Sequence, residues 1–242
     1  MGGEVLVTGS SRGIGRAIAV QLARDGYDLV LHCLARRELA EEVAGEVHAL
    51  GRAARVLQFD VTDRGACEAG LSADIAAHGA YYGVVCNAGL THDAAFPAMS
   101  GEAWDSVLRA NLDAFYNVLQ PVVMPMVRRH APGRIVTVSS VSGLIGNRGQ
   151  VNYAAAKGAL NSATKALALE VATRGITVNA VAPGIIATAM TAALFDAAAI
   201  ERLVPLNRAG LPEEVAAVVA FLASEEASYV TAQIISVSGG MA

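Results

Sequence analysis

Tyr153 and Lys157 stand four residues apart inside an Ala-rich run, so on a helix they share one face. Upstream, Ser139-Ser140-Val141-Ser142 follows a β-type run, Arg134-Ile135-Val136-Thr137-Val138. A Ser on a loop after a strand, facing a Tyr and a Lys on the next helix, is a constellation for moving a proton to or from an oxygen. The ammonium lowers the phenol's pKa toward working pH, and the hydroxyl holds a carbonyl oxygen. Tyr-x-x-x-Lys alone recurs by chance. Composition adds weight: of 18 basic residues only Lys157 and Lys165 are Lys. A chain that writes its cations as Arg has kept Lys here, where a compact ammonium with a shiftable pKa is needed. The plain alternative is two scattered surface lysines.

A second chemical stretch lies near the start. The apolar run Val5-Leu6-Val7 reads as a buried parallel strand. Thr8-Gly9-Ser10-Ser11-Arg12-Gly13-Ile14-Gly15 follows, and then apolar residues at helical spacing. Strand, Gly-rich turn and helix make a phosphate cradle. Gly9 permits the tight turn, Gly13 lets backbone approach a diphosphate, and Gly15 lets the helix pack close. A turn of the same shape that binds nothing is the alternative. Strand two, Tyr27 to Cys33, ends without the acid that would accept from a ribose 2′-hydroxyl. Arg12, with Arg36 and Arg37, suits a 2′-phosphate and hence NADPH. Arg36 and Arg37 equally suit the start of a solvated helix. Asp60, after strand three, either accepts from an adenine amino group or caps the next helix.

These residues need a scaffold that brings strand ends together. Strand-like runs at 54–59, 82–86, 134–138, 176–181 and 234–237 alternate with helical ones at 38–50, 63–78, about 102–129, 153 to about 173, and after Pro212. The pattern predicts an α/β fold, one Rossmann-type doubly wound parallel sheet of about seven strands, with residues 1–242 as a single domain. Residues 187–211, with Met190, Leu194 and Phe195, read as one short helix and a mobile flap. Asn111 sits mid-helix against propensity, as a helix-bending or water-binding residue or an exposed surface Asn.

Composition narrows the functional classes. With 242 residues, 54% of them hydrophobic, the chain can bury a large core, part of it between subunits. Net charge is −4 without a basic tract, which argues against a nucleic-acid surface. No apolar run is long enough to span a bilayer, and the first residues already read as strand, which argues against a signal peptide. Cys33, Cys67 and Cys86 lack metal spacing and are odd in number, as expected of free thiols in a reducing, cytoplasmic compartment. His32, His48, His78, His92 and His130 are too scattered to suggest a metal site.

Taken together, the motifs resemble the short-chain dehydrogenase/reductase family along the whole chain. The matches are Thr8 to Gly15, Asp60, Asn87-Ala88-Gly89, Asn111, Ser140, Tyr153 with Lys157, and Pro183-Gly184. Within it the chain looks most like the 3-oxoacyl-[acyl-carrier-protein] reductases, notably at 146–153, 175–179 and 208–215, and is similar to ketoreductases of carrier-bound polyene synthesis. The resemblance implies a catalytic set of Asn111, Ser140, Tyr153 and Lys157, choosing Ser140 over Ser139 and Ser142. It implies a cofactor surface of Gly9, Ser11, Arg12, Gly13, Ile14, Gly15, Arg36, Asp60, Val61, Asn87, Ala88, Gly89, Pro183, Gly184, Ile186 and Thr188, with Tyr153 and Lys157. The implied reaction is NADPH-dependent reduction of a 3-oxoacyl thioester on acyl carrier protein. Implied partners are that carrier, docking on Arg129 and Arg174 beside Arg128, and three further copies in a homotetramer built through the two long helices. Helix-dipole placement of those arginines is the alternative. A dehydrogenase of small alcohols, sugars or other ketones, and a non-catalytic relative, are the competing functions. One departure stands out: the family's usual Asn before Asn87 is Cys86, a weaker hydrogen-bonder.

Overall fold

Short strands this apolar need cover on both faces, and the helices on either side of the sheet supply it. A computed structural model describes residues 3–188 and 197–242. Its strands are β1 (Glu4–Val7), β2 (Asp28–Cys33), β3 (Ala54–Gln58), β4 (Gly83–Cys86), β5 (Gly133–Val138), β6 (Ile176–Pro183) and β7 (Ile234–Val237). They pair in parallel in the order β3-β2-β1-β4-β5-β6-β7. The α-helices are α1 (Gly13–Arg24), α2 (Arg37–Ala49), α3 (Arg64–His78), α4 (Gly101–Leu108), α5 (Ala114–Arg128), α6 (Ser142–Ile145), α7 (Val151–Val171), α8 (Ala197–Leu203) and α9 (Pro212–Ala223).

Alternation along each strand sorts the core into two layers. Val5, Val7, Leu29, Leu31 and Val181 pack with α1, α2 and α9 on one face. Leu6, Val30, Val84, Ile135 and Val178 pack with α3, α5 and α7 on the other. Leu6, Ile18, Leu22, Leu29 and Ile135 are wholly buried, each stabilising the fold by roughly 1.5–3 kcal/mol. Because every strand runs the same way, the turns after β1, β4, β5 and β6 emerge at one end. β1 lies between β2 and β4, so the chain's direction of winding reverses there and opens a crevice.

The expected strands and helices are present, with ends shifted by a residue or two. The long helix expected over about 102–129 is interrupted: α4 and α5 are joined by one π-turn, Arg109–Asp113. Its cause is Asn111, which is buried rather than surface-exposed. Asn111 Nδ2 donates to Val107 O (2.9 Å) and to Leu90 O outside the helix (2.7 Å). A side chain competing for a ladder carbonyl loosens the turn. α6 was too short to leave a periodic signal. Of the 187–211 stretch, α8 and a bridge between Ile186 and Gly210 are described. Met190, Leu194 and Phe195 lie outside the described residues.

Candidate active site

The loop after β5 is stapled so that its three serines have different jobs. Ser139 N donates to Val181 O of β6 (2.7 Å), and Ser139 Oγ to Lys157 O of α7 (3.3 Å). Ser142 Oγ donates to Gln150 (3.0 Å). Ser140 Oγ accepts from Ser142 N (3.1 Å) and lies close enough to the Tyr153 phenol to pull its pKa down. Ser140 is therefore the one that meets Tyr153. The loop approaches α7 closely because Gly143 has no side chain: a Cβ there would stand 2.7 Å from Lys157 C and 2.8 Å from Gly158 N.

α7 is fixed at its start by residues to which the sequence reading assigned no role. Asn152 Nδ2 donates to His92 O (3.1 Å) and Ala103 O (3.2 Å), while its Oδ1 accepts from Tyr153 N (2.8 Å). Gln150 Nε2 donates to Asp93 (2.9 Å). Lys157 is 3% exposed, and its Nζ donates to Val138 O (2.8 Å), standing 5.6 Å from the Tyr153 ring centre. Burial pushes Lys157 down to about 8. Tyr153 is pushed up to about 12, by burial first and then by Asp93, with neighbouring Ser140 pulling the other way. The expected lowering of the phenol by Lys157 is not among these influences, and burial decides the direction. A phenol that keeps its proton is the form a proton donor needs.

Asn111 faces the same place. Its Oδ1 is buried without a partner among the described residues. A Cβ on Gly89 would lie 2.4 Å from that oxygen and 3.6 Å from Lys157 Nζ. Gly89 therefore keeps open the space between Asn111 and Lys157.

The turn after β1 has a cradle's shape. Gly9 and Gly13 have φ of 64° and 55°, which favours glycine at both. A Cβ on Gly15 would sit 2.2 Å from Gly9 O. α1 has no side-chain cap, so its first N–H groups are available to an anion. Above Gly13 a Cβ would meet, among the described residues, only Thr188, at 3.8 Å. These features fit a dinucleotide diphosphate. Asn87 Nδ2 holds the turn by donating to Thr8 O (3.0 Å) and Gly9 O (3.1 Å), and Thr8 Oγ1 accepts from Asn87 N and Ala88 N.

Sequence reading missed His32, a buried support for this turn. Gly9 N donates to its Nδ1 (3.2 Å), and its Nε2 donates to Phe59 O (2.9 Å). Burial lowers its pKa, keeping the neutral tautomer that both bonds require. A buried strand His beside a Gly turn was the available signal.

Around the cradle, Arg12 and Arg36 are exposed, with no side-chain partner among the described residues. Arg37 instead pairs with Glu41 (3.0 Å) on α2, the solvated-helix alternative. Asp60 Oδ1 accepts from Thr62 N and Thr62 Oγ1, each at 2.8 Å. The cap of α3 is Asp63, not Asp60. Val61 and Ala88 line a cavity with Lys157 and Asn111. Gly184 N donates to Val237 O, and Pro183 O accepts from Val141 N (3.0 Å each), joining β6 to β7 and to the Ser140 loop. Ser11 and Ile14 lie in and just after the cradle turn, and Ile186 follows β6.

Residues 9–242 match the family described as Enoyl-(Acyl carrier protein) reductase. The chain is 58% identical over 241 residues to the 3-oxoacyl-[acyl-carrier-protein] reductase FabG of Aggregatibacter actinomycetemcomitans, covering 100% of both chains. It is 42% identical over 240 residues to the FabG of Staphylococcus aureus strain Mu50 (98% of this chain, 97% of that one). It is 40% identical over 242 residues to that of Chlamydia trachomatis serovar D (98% and 96%). Among the described residues no helix is long and apolar enough to cross a membrane. Similarity of this extent, on a parallel sheet whose Gly-rich turn is shaped for a nicotinamide dinucleotide, means that the chain belongs to the short-chain dehydrogenase/reductase family.

Proposed function

We propose that this protein is an NADPH-dependent 3-oxoacyl-carrier-protein reductase. The observation that carries the reading is the meeting of Ser140, Tyr153 and Lys157 at the carboxyl end of β5, in a chain similar end to end to proteins named for that reaction. NADPH, held by the cradle after β1, would supply the hydride for the ketone carbon. Ser140 Oγ orients the ketone oxygen, and Tyr153 gives that oxygen its proton. Lys157 then reprotonates Tyr153, drawing on solvent held by Asn111 Oδ1. Arg12 and Arg36, without a side-chain partner among the described residues, receive the 2′-phosphate. Gly9, Gly13 and the first turn of α1 hold the diphosphate. Asp60 and Val61 face the adenine, while Asn87 to Gly89, Pro183, Gly184, Ile186 and Thr188 enclose the nicotinamide half.

An acyl carrier protein brings the substrate, docking on the cluster that includes Arg129 and Arg174. Outward Tyr116 and Met124 on α5 and Leu169 on α7 are exposed, supporting a homotetramer assembled through these helices. The deciding experiment is NADPH oxidation with 3-oxoacyl-carrier protein, an acetoacetyl thioester, an enoyl thioester and simple ketones. Preference for the first two supports the reading. Preference for simple ketones points to a small-alcohol dehydrogenase, and preference for the enoyl thioester to the reaction in the family's description.

A further inference from the structure

Lys157 is buried in a cavity wall whose other members decide how well its charge is held. That wall includes Cys86, Asn111, Val61, Phe115 and Leu160. Cys86 ends β4, in register with Thr137 of β5, and packs toward the face that α7 covers. Cys86 and Lys157 are the only titratable groups lining the cavity among the described residues. Tyr153 faces Lys157 from its own helix, its ring 5.6 Å away. β5 contributes the Val138 carbonyl, Lys157's only acceptor among the described residues. The π-turn contributes neutral Asn111, whose Nδ2 is committed to two carbonyls. An ammonium has three donors, and a thiol accepts weakly. Burial pushes the Cys86 thiol up to about 12, so at working pH it is neutral and offers no counter-charge.

We propose that Cys86 is a positioning residue for Lys157: its weakly accepting thiol leaves the ammonium under-solvated and so sets the pH above which proton resupply to Tyr153 stops. This rests on the reductase reading for its kinetic consequence, but not for the Cys86–Lys157 coupling itself. A base whose folded pKa is depressed loses its proton earlier as pH rises. With Lys157 at about 8, turnover in the reductive direction falls as pH climbs through that value. A stronger acceptor at position 86 would hold the proton longer and move the fall upward.

The test uses the shortage of lysine in this chain. Protein labelled with carbon-13 at lysine Cε gives two signals, and Lys165→Arg assigns them. The Lys157 titration is followed in cofactor-free wild type, Cys86→Ser, Cys86→Asn and Cys86→Ala. The expected result is a midpoint raised by roughly one pH unit in the Ser or Asn variant. The Ala variant, which adds no acceptor, stays at or below wild type. The alkaline limb of kcat moves with the midpoint. Unmoved midpoints in folded Ser and Asn variants overturn the proposal. So does an Ala variant raised as far as Ser, or a moved midpoint with an unmoved kcat limb. Because the titration is read without cofactor or substrate, it stands even if the substrate assignment fails.

Discussion

Tyr153 illustrates how a site can favour one direction of proton flow. Burial holds its phenol protonated, while neighbouring Ser140 pulls its pKa the other way and eases departure of the proton. Tyr153→Phe keeps the ring and removes the acid. Loss of a general acid typically costs about 10²–10⁴ in rate, so kcat should collapse while NADPH binding, followed by nicotinamide fluorescence, survives. Near-wild-type turnover by the folded variant would end the mechanism. Arg12 tests the other end of the cofactor. Its guanidinium is exposed and has no side-chain partner among the described residues, so removing it should cost the fold little. A charge-assisted hydrogen bond to a 2′-phosphate is worth about 1.5–3 kcal/mol, with the lower end apt for an exposed group. Arg12→Ala should weaken NADPH and leave NADH nearly unchanged in parallel titrations. Equal losses would make Arg12 a structural part of the turn.

At the scale of elements, the π-turn between α4 and α5 is the feature that lines up the proton route. It sets Asn111 Oδ1 beside Lys157, and Gly89 leaves the gap between them clear. Gly89 is not among the positive-φ glycines, so its backbone accepts alanine and the only obstacle is the Cβ in that gap. Gly89→Ala should therefore slow steady-state turnover more than the first, single-turnover hydride transfer, which uses the proton already on Tyr153. Equal slowing in rapid-mixing experiments would reduce Gly89 to a packing role. The π-turn marks a limit of sequence reading. Apolar spacing through Trp104, Leu108, Leu112, Phe115 and Leu119 continues across it and predicts one helix, because the break comes from the Asn111 side chain, which takes the ladder carbonyl of Val107 and also Leu90 O, a partner only the fold supplies. The sheet was legible because buried parallel strands are written as apolar runs between Gly-rich turns. Ser140, Tyr153 and Lys157 were legible because a strand end and a helical spacing bring them together. Asn152, Gln150 and His32 were not, because their partners are carbonyls and loops distant in the chain. The Lys157 effect on Tyr153 was misjudged because spacing carries no measure of burial.

Across the whole molecule, carrier docking has to overcome charge. An acidic carrier meets a chain of net charge −4, so the docking surface must be a local basic patch. The ends of α5 and α7 do converge: Gly133 N donates to Gly175 O (3.3 Å), and a Cβ on Gly175 would lie 3.7 Å from Pro132. The segments that carry Arg128, Arg129 and Arg174 are thereby brought near one another. The arginines are not equally available, however. Arg129 lies 5.6 Å over the Tyr82 ring and donates to Pro132 O, and burial lowers its pKa, whereas Arg128 and Arg174 are exposed. The cluster also precedes β5 and β6, whereas Ser140 follows β5. Six residues of strand separate the two ends, about 20 Å. A carrier seated on these arginines must therefore reach along that length to the Ser140 end of the sheet. Arg129→Glu with Arg174→Glu should raise KM for 3-oxoacyl-carrier protein steeply and make it less salt-sensitive. A short free thioester should be reduced as before. Arg174→Glu alone separates docking from structure, because it leaves the Arg129–Tyr82 contact intact: it should produce part of the KM rise with an unchanged melting temperature. If both variants show wild-type kinetics on the carrier-bound substrate, the patch is ruled out, and the arginines at these helix ends serve only to complement the helix dipoles.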